Sequence, residues 1–200
     1  SYYRMRLFYR NEWWAVKRTP PLVPRVANDG DYLSEPEHST SFTWVGHCTY
    51  VVKDGVDTFL TDPHFSTRAF WPKRFHPPGV PIGKIPADAF ALLSHNHYDH
   101  MDAWTVDNLP ETITWFAPLG LAGWFRDRGR RVVALNWWQS ARHGRWKLTC
   151  LPAQHWSNRF GMGANSTLWC SWLIESESRK FFFAGDSGYY QGFAEYGRKF

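Results

Sequence analysis

The chain has 200 residues, of which 44% are hydrophobic and 20% are charged, so it is long enough to bury a core. This composition excludes a disordered chain, and no run of about 18 apolar residues is present that would span a membrane as a helix. The net charge of +5 resides in residues 1–26, which hold six basic residues and one acidic residue. Because the remainder is neutral overall, we expect no nucleic-acid partner.

Residues 1–41 are predicted as a basic and aromatic N-terminal segment that leads into a domain over 42–200. Two interpretations of its first 26 residues remain open. Arg and Lys beside Trp and Tyr fit a peripheral contact with anionic lipid headgroups, but the same aromatic residues could pack against the domain. The three cysteines are scattered and include no CxxC pair, which favours a reducing compartment. We therefore expect a cytoplasmic protein, with membrane association as an option.

Strands dominate the predicted elements of the domain. Two β-branched runs, 49–53 and 56–61, flank an Asp54-Gly55 turn and indicate a hairpin. The proline-rich stretch 63–86 predicts a long ordered loop. The later elements, in chain order, are a buried strand at 89–93, a short helix capped by Asp102 and ending near 108, a helix over 118–127, strands at 131–135 and 146–151, and a hairpin of 167–174 with 180–184.

The densest group of chemically active side chains lies directly after the predicted strand 89–93. It holds His95, His97, Asp99 and His100. Residues two apart in an extended chain project to the same side, so His95 and His97 can bind one ion together. If a helix follows, Asp99 and His100 can face a second ion. Imidazole with carboxylate suits zinc, iron or manganese, so the segment predicts a metal site.

Two further candidate ligands each follow an apolar run. His155 comes just after the strand 146–151, and Asp186 comes just after the strand 180–184. Alone, either residue has an ordinary explanation, since Gly-Asp-Ser-Gly is common in turns. Together they indicate that several strands deliver ligands to one edge of the fold.

This pattern of ligands resembles the metallo-β-lactamase superfamily. More of the chain is similar to the N-acyl-phosphatidylethanolamine phospholipase D branch of that superfamily and to its bacterial relatives. The other segments that carry this resemblance are 44–47, 60–63, 72–74, 118–121, 154–157 and 183–189.

The resemblance implies an α+β fold, namely a four-layer αββα sandwich with two zinc ions at one edge of its sheets. The first zinc would be held by His95, His97 and His155. Asp99 and His100 would hold the second zinc, with Asp186 as the bridging ligand. The family supplies one more histidine after the Gly-Asp motif, and the 14 residues that follow Asp186 contain none. We therefore expect a fragment of a longer protein, with the sandwich incomplete at its C-terminus.

The implied function is a zinc-dependent phosphodiesterase of phospholipase D type. It would act on N-acyl-phosphatidylethanolamine-like lipids by metal-hydroxide attack, because zinc brings the pKa of bound water to about 7. Asp99 would orient the hydroxide or take its proton. Two alternatives stay open: a metal-dependent lactonase or ester hydrolase of the same superfamily, or a non-catalytic binding protein with a partial metal site. The expected partner is a small-molecule or phospholipid substrate.

Several residues around the ligands receive supporting roles. Asp62 would hold the ligands from behind, although capping of its own loop explains it equally well. Arg159 could clamp a phosphate, and Gln154 and Ser157 flank the third histidine as candidates for substrate binding. His47 is predicted to be a structural hydrogen bonder with no metal role.

Overall fold

The computed structural model describes residues 24, 26–35 and 39–200. The predicted N-terminal segment over 1–41 therefore lies largely outside the described residues. Within its described part, Leu33 is buried in the core, and its carbonyl oxygen accepts a hydrogen bond from Lys53 Nζ at 2.7 Å. Leu33, with Tyr32 beside it, thus packs against the domain that follows.

The first sheet has six strands that pair in chain order. β1 to β3 are antiparallel, whereas β3 to β6 are parallel to one another. The predicted Asp54-Gly55 turn joins β2 to β3, and Gly55 adopts the left-handed φ of 65° that such a turn requires. The strands are β1 (Thr40–Gly46), β2 (Thr49–Asp54), β3 (Asp57–Thr61), β4 (Phe90–Leu92), β5 (Thr114–Pro118) and β6 (Arg131–Leu135).

The second sheet has four antiparallel strands in the order β10-β9-β8-β7. Its strands are β7 (Ser140–His143), β8 (Trp146–Leu151), β9 (Ser171–Glu175) and β10 (Lys180–Phe183). Three α-helices and two short 3-10 helices complete the described elements. The α-helices are α1 (Ala103–Asn108), α2 (Ala122–Arg126) and α3 (Gly192–Lys199), and the 3-10 helices span Asp31–Ser34 and Ile82–Lys84. As predicted, the Asp102 side chain caps α1 by accepting a hydrogen bond from Thr105 N.

The apolar side chains form three clusters between four layers. Because strand residues alternate between faces, Val51 and Leu60 pack with α1 and α2, whereas Val52 and Phe59 pack with the second sheet. On the far side of the second sheet, Tyr196 of α3 packs against that sheet. The layers therefore run helix, sheet, sheet, helix, and the predicted α+β sandwich of metallo-β-lactamase type is confirmed.

The structure differs from the sequence-based expectation at α2 and β9, and it also contains β1, β5, β7 and α3, which were not predicted. Pro118 ends β5 instead of starting a helix, and α2 begins only at Ala122, after Gly120 turns the chain with a φ of 100°. β9 begins at Ser171, later than expected. No helix in the described part of the chain is long and apolar enough to cross a membrane.

Candidate metal centre

Loops that follow three strands bring all six predicted ligands to one edge of the sandwich. The loop after β4 carries four of them, and the loops after β8 and β10 carry one each. The six are His95, His97, Asp99, His100, His155 and Asp186. Gly185 allows the close approach of the last loop, since a Cβ there would lie 2.6 Å from Ser94 Cβ. Two sheets therefore share one site.

The first metal position is formed by three imidazoles. His95 Nε2 lies 2.8 Å from His97 Nδ1, and His155 Nε2 lies 3.2 Å from each of these atoms. Zinc–nitrogen bonds of about 2.0–2.1 Å in a tetrahedron separate neighbouring ligands by roughly 3.3 Å. Burial, together with the neighbouring imidazoles, lowers the pKa of His95 to about 2 and that of His97 to about 4. The neutral imidazoles and their spacing fit a tetrahedral metal ion.

The second position lies beside the first, and Asp186 stands between them. Asp186 Oδ2 is 3.4 Å from His100 Nε2 and 3.8 Å from His155 Nε2. Asp99 Oδ2 is 4.0 Å from His100 Nε2. Burial lowers the pKa of His100, but the carboxylates of Asp62 and Asp186 outweigh it and raise this pKa to about 10. A proton on His100 thus holds the carboxylates together, and a cation bound here would take its place.

Asp62 fixes the orientation of two ligands from behind. It is fully buried, and its Oδ2 lies 2.6 Å from both His100 Nδ1 and Ser94 Oγ. Ser94 Oγ in turn lies 2.8 Å from His95 Nδ1. These hydrogen bonds engage Nδ1 of His100 and of His95, so both rings turn their Nε2 atoms toward the site. The predicted support by Asp62 is present in the geometry, whereas the part of Ser94 was not predicted.

Replacing Asp62 by asparagine should weaken metal binding at the second position by about 10- to 100-fold. The amide would donate a hydrogen bond to His100 Nδ1, where the carboxylate now accepts one. A neutral His100 would then carry its proton on Nε2, the atom that faces the metal position. Competition with a chromophoric chelator should show one tight and one weakened zinc ion for each chain.

Asp102→Asn is the matched control for Asp62→Asn. Asp102 is also a buried aspartate, but its carboxylate accepts from Ser66 N and Thr105 N, away from the ligands. This variant should lose stability and keep both zinc affinities. Equal zinc affinities in wild type and Asp62→Asn would contradict the orienting role of Asp62.

His47 occupies a place that the sequence did not indicate. It lies in the β1–β2 turn, and its Nε2 is 3.2 Å from His100 Nε2 and 3.2 Å from Asp99 Oδ2. It does form a hydrogen bond, as expected, but the partner is a predicted metal ligand. This bond to Asp99 raises the pKa of His47 to about 10. The Gly46-His47 pair was the sequence feature that could have drawn attention to His47. Only the pairing of β1 with β2 shows that this histidine lies beside Asp99 and His100.

Arg159 lies beneath the loop of ligands. Its Nη1 donates to Met101 O at 2.8 Å and to Asn96 O at 3.3 Å, and its guanidinium lies 4.2 Å from the ring centre of Tyr98. These contacts tie the loop after β4 to the loop after β8. They account for a positioning role, while the predicted phosphate contact stays a prediction.

Gln154 and Ser157 also contact neighbouring backbone. The Ser157 hydroxyl is fully buried and donates to Thr167 O at 2.7 Å. Gln154 O accepts from Gly188 N at 2.8 Å, which joins the loop of His155 to the loop of Asp186. Both residues thus hold loops in place, and their predicted contact with substrate stays a prediction.

Comparison with known proteins places this geometry in context. A family model described as "Beta-lactamase superfamily domain" matches residues 57–200. N-acyl-phosphatidylethanolamine-hydrolyzing phospholipase D 1 of Caenorhabditis elegans is 40% identical over 166 residues, which cover 74% of this chain and 46% of that protein. The mitochondrial N-acyl-phosphatidylethanolamine-hydrolyzing phospholipase D of Saccharomyces cerevisiae is 33% identical over 183 residues, covering 84% of this chain and 38% of that protein.

The chain therefore spans less than half the length of these two curated relatives. Among solved structures, a possible metal-dependent hydrolase from Veillonella parvula aligns with a TM-score of 0.65 at 14% identity, covering 80% of this chain and 68% of that one. At this identity the likeness shows a shared fold.

Proposed function

The chain belongs to the metallo-β-lactamase superfamily, and we propose from this that it carries the catalytic centre of a zinc-dependent hydrolase. One observation carries the proposal: a three-imidazole position and a second imidazole position share the Asp186 carboxylate at one edge of the fold. Nitrogen and oxygen donors at tetrahedral spacing fit zinc. A bound pair of zinc ions supplies a nucleophile from water at neutral pH and neutralises charge on the reacting oxygen atoms.

Asp99 presents an ionised carboxylate to water at this centre. Its side chain is 48% exposed, so water can reach the carboxylate. The hydrogen bond from His47 holds the pKa of Asp99 well below its usual range. The carboxylate is therefore ionised at neutral pH, and we assign Oδ2 the role of orienting the attacking water or taking its proton.

A cavity of about 810 Å³ ends at His47 and Asp99, beside the second position. Its walls include the exposed rings of Phe42, Trp44 and Phe75. This volume lies within the roughly 300–1,000 Å³ that is usual for a small-molecule site. An apolar cavity that ends at a polar metal centre fits an amphiphile, with its chain against the rings and its headgroup at the metals.

The charge along the cavity fits an anionic headgroup. Lys73 is exposed in the wall that also holds Phe75, so an ammonium group faces the same space as the apolar rings. Arg74 lines the cavity too, but its guanidinium donates to Val45 O and His64 O and supports the wall. A phosphodiester in this cavity would thus share it with Lys73 as a further cation.

The surface on the other side of Asp99 is rich in exposed aromatic rings. A second cleft there is lined by His97, Phe70, Trp156 and Phe160, and the last of these is 96% exposed. Aromatic side chains that lie open beside a catalytic site are suited to contact a lipid surface. These rings support our proposal that the protein acts at a lipid surface, and the cytoplasmic location stays a prediction from the sequence.

These features support a phosphodiesterase of phospholipase D type that acts on N-acyl-phosphatidylethanolamine-like lipids. The nematode and yeast relatives are described as enzymes that hydrolyse N-acyl-phosphatidylethanolamine. The test is hydrolysis by the zinc-loaded full chain of this lipid in mixed vesicles, with a lactone and a simple carboxylic ester in parallel. The expected products are phosphatidic acid and N-acylethanolamine. Turnover of the lactone or the ester alone would favour the ester hydrolase, and metal binding without any turnover would favour a binding protein.

Phe75→Ala should raise KM for a long-chain lipid by about fivefold and leave a short-chain analogue unchanged. The ring is a half-exposed wall of the cavity, so its removal forfeits part of the roughly 1.5–3 kcal/mol of a buried phenylalanine. Phe182→Ala is the control, because Phe182 lies on the outer side of the second sheet, against Phe193 of α3. An equal effect on both chain lengths would show that the cavity does not hold the acyl chain.

A further inference from the structure

We propose that the β1–β2 turn supplies two ligands of its own to the second metal position, His47 Nε2 and Cys48 Sγ. This inference rests on the metal centre of the proposed function and goes beyond the ligands predicted from the sequence. It is carried by the positions of three side chains, since the donor atoms of His47, Cys48 and His100 all lie within 4.8 Å of one another.

The imidazole of His47 has the spacing of a metal ligand. Its Nε2 lies 3.2 Å from His100 Nε2 and 3.2 Å from Asp99 Oδ2. These distances are close to the roughly 3.3 Å that separates neighbouring nitrogen and oxygen ligands of a tetrahedral zinc ion. A structural hydrogen bond would need only one of these two partners. Asp99 Oδ2 and His100 Nε2 are themselves 4.0 Å apart, so the three atoms surround one space, where a bound ion would replace the hydrogen bond from His47 to Asp99.

Cys48 brings a sulfur atom to the same place. Its Sγ lies 3.9 Å from Oδ1 of Asp186, the carboxylate that stands between the two positions. A zinc–sulfur bond is about 2.3 Å long, so a thiolate lies farther from the other ligands than a nitrogen does. Cys48 is half-buried, whereas Cys150 and Cys170 are buried in the core between the sheets. The sulfur beside the metal centre is thus separate from those of the core.

The turn that carries the two residues is held by hydrogen bonds that involve none of the proposed ligand atoms. Trp44 Nε1 donates to His47 O at 2.9 Å, and Thr61 Oγ1 donates to Cys48 O at 2.9 Å. On the following residue, Thr49 Oγ1 donates to Asp62 O at 2.6 Å. These bonds couple the turn to the end of β3, where Asp62 orients His100. Ligands held on such a framework need little reorganisation to bind.

The two metal positions would then differ chemically. The first offers three nitrogen atoms, and the second adds a thiolate to imidazole and carboxylate donors. Thiolate ligands favour zinc over the harder ions manganese and magnesium. We therefore infer that the second position selects zinc or another thiophilic ion, while the first tolerates a wider range.

Cobalt titration of the metal-free full chain tests the assignment directly. Cobalt(II) takes zinc sites, its visible absorption reports tetrahedral binding, and a thiolate ligand adds a charge-transfer band in the near ultraviolet. We expect this band to grow with the second equivalent. Cys48→Ser and Cys48→Ala should abolish it and keep the visible absorption of the first equivalent. His47→Ala should shift the second equivalent to cobalt concentrations about tenfold higher or more. Cys150→Ala should keep the band.

Three results would overturn the assignment: two bound cobalt ions without the near-ultraviolet band, a band that survives in both Cys48 variants, or a His47→Ala titration that coincides with wild type. The visible absorption of the first equivalent shows that each variant is folded. A chain that binds no cobalt would overturn the metal centre as well as this assignment. Because no substrate is present, a failure to hydrolyse lipid leaves the result of the titration unaffected.

Discussion

Asp186→Asn is expected to lower kcat for a simple chromogenic phosphodiester by about a thousandfold and to reduce bound zinc from two ions to one. The carboxylate lies within 3.8 Å of nitrogen atoms at both positions, and its hydrogen bond with His100 lowers its pKa to about 2. The amide keeps the shape but loses the negative charge that two bound cations would share. A loss of about 4 kcal/mol in transition-state stabilisation corresponds to that factor, since 1.36 kcal/mol is tenfold.

The control for Asp186→Asn is the same substitution at an exposed aspartate. Asp88 lies in the loop before β4, away from the ligands, and Asp88→Asn should keep both zinc ions and full activity. The measurements are elemental analysis of the dialysed chain and initial rates at saturating zinc. Retention of more than a tenth of kcat in Asp186→Asn would rule out a bridging carboxylate at this position.

Trp172→Ala should reduce the free energy of unfolding by about 3–5 kcal/mol, as expected for a large buried aromatic residue. The indole is fully buried between the sheets, and its Nε1 donates to Leu93 O at 2.8 Å. Leu93 lies just before the loop of ligands, so the substitution also removes a contact that joins β9 to this loop. Urea unfolding followed by fluorescence would measure the loss.

Two further variants separate packing from hydrogen bonding at Trp172. Trp172→Phe keeps much of the ring and loses the donor, so it should cost only about 1–3 kcal/mol. The loss arises mainly because the Leu93 carbonyl would keep only the weak thiol donor of Cys170 at 3.8 Å. Trp71→Ala removes an indole that is 77% exposed, and it should change stability by no more than about 0.5 kcal/mol. Equal losses for Trp172→Ala and Trp71→Ala would show that the core between the sheets contributes little.

The ligands that follow strands were predictable because an apolar run in the sequence directly precedes each one. His155 and Asp186 come after runs that form β8 and β10, and strand ends of one sandwich meet at one edge. His47 was assigned a structural bond because nothing local marks it as a ligand. Its distance to His100 depends on the pairing of β1 with β2 and on the path of the chain across 53 residues.

The missed and shortened elements have a similar physical origin. β5 is buried on both faces as an inner parallel strand, so it lacks the alternation that marks a half-buried strand. Pro118 fits either the end of a strand or the first turn of a helix, and the neighbouring Gly120 decides between them only in three dimensions. α3 contains Gly192 and Gly197, which weaken the helical signal, and packing of Tyr196 compensates for them.

The ligands of the metal centre come from loops of both sheets, so an ion bound there would cross-link the two halves of the sandwich. In an unfolded chain these ligands would lie far apart, so zinc would bind and stabilise only the native state. Where the free zinc concentration is well above the dissociation constant of a site, every tenfold rise in free zinc adds about 1.4 kcal/mol to the free energy of unfolding for that site. The melting temperature of this protein would thus report the free zinc of its surroundings, and scarcity of zinc would shorten the lifetime of the fold together with its chemistry.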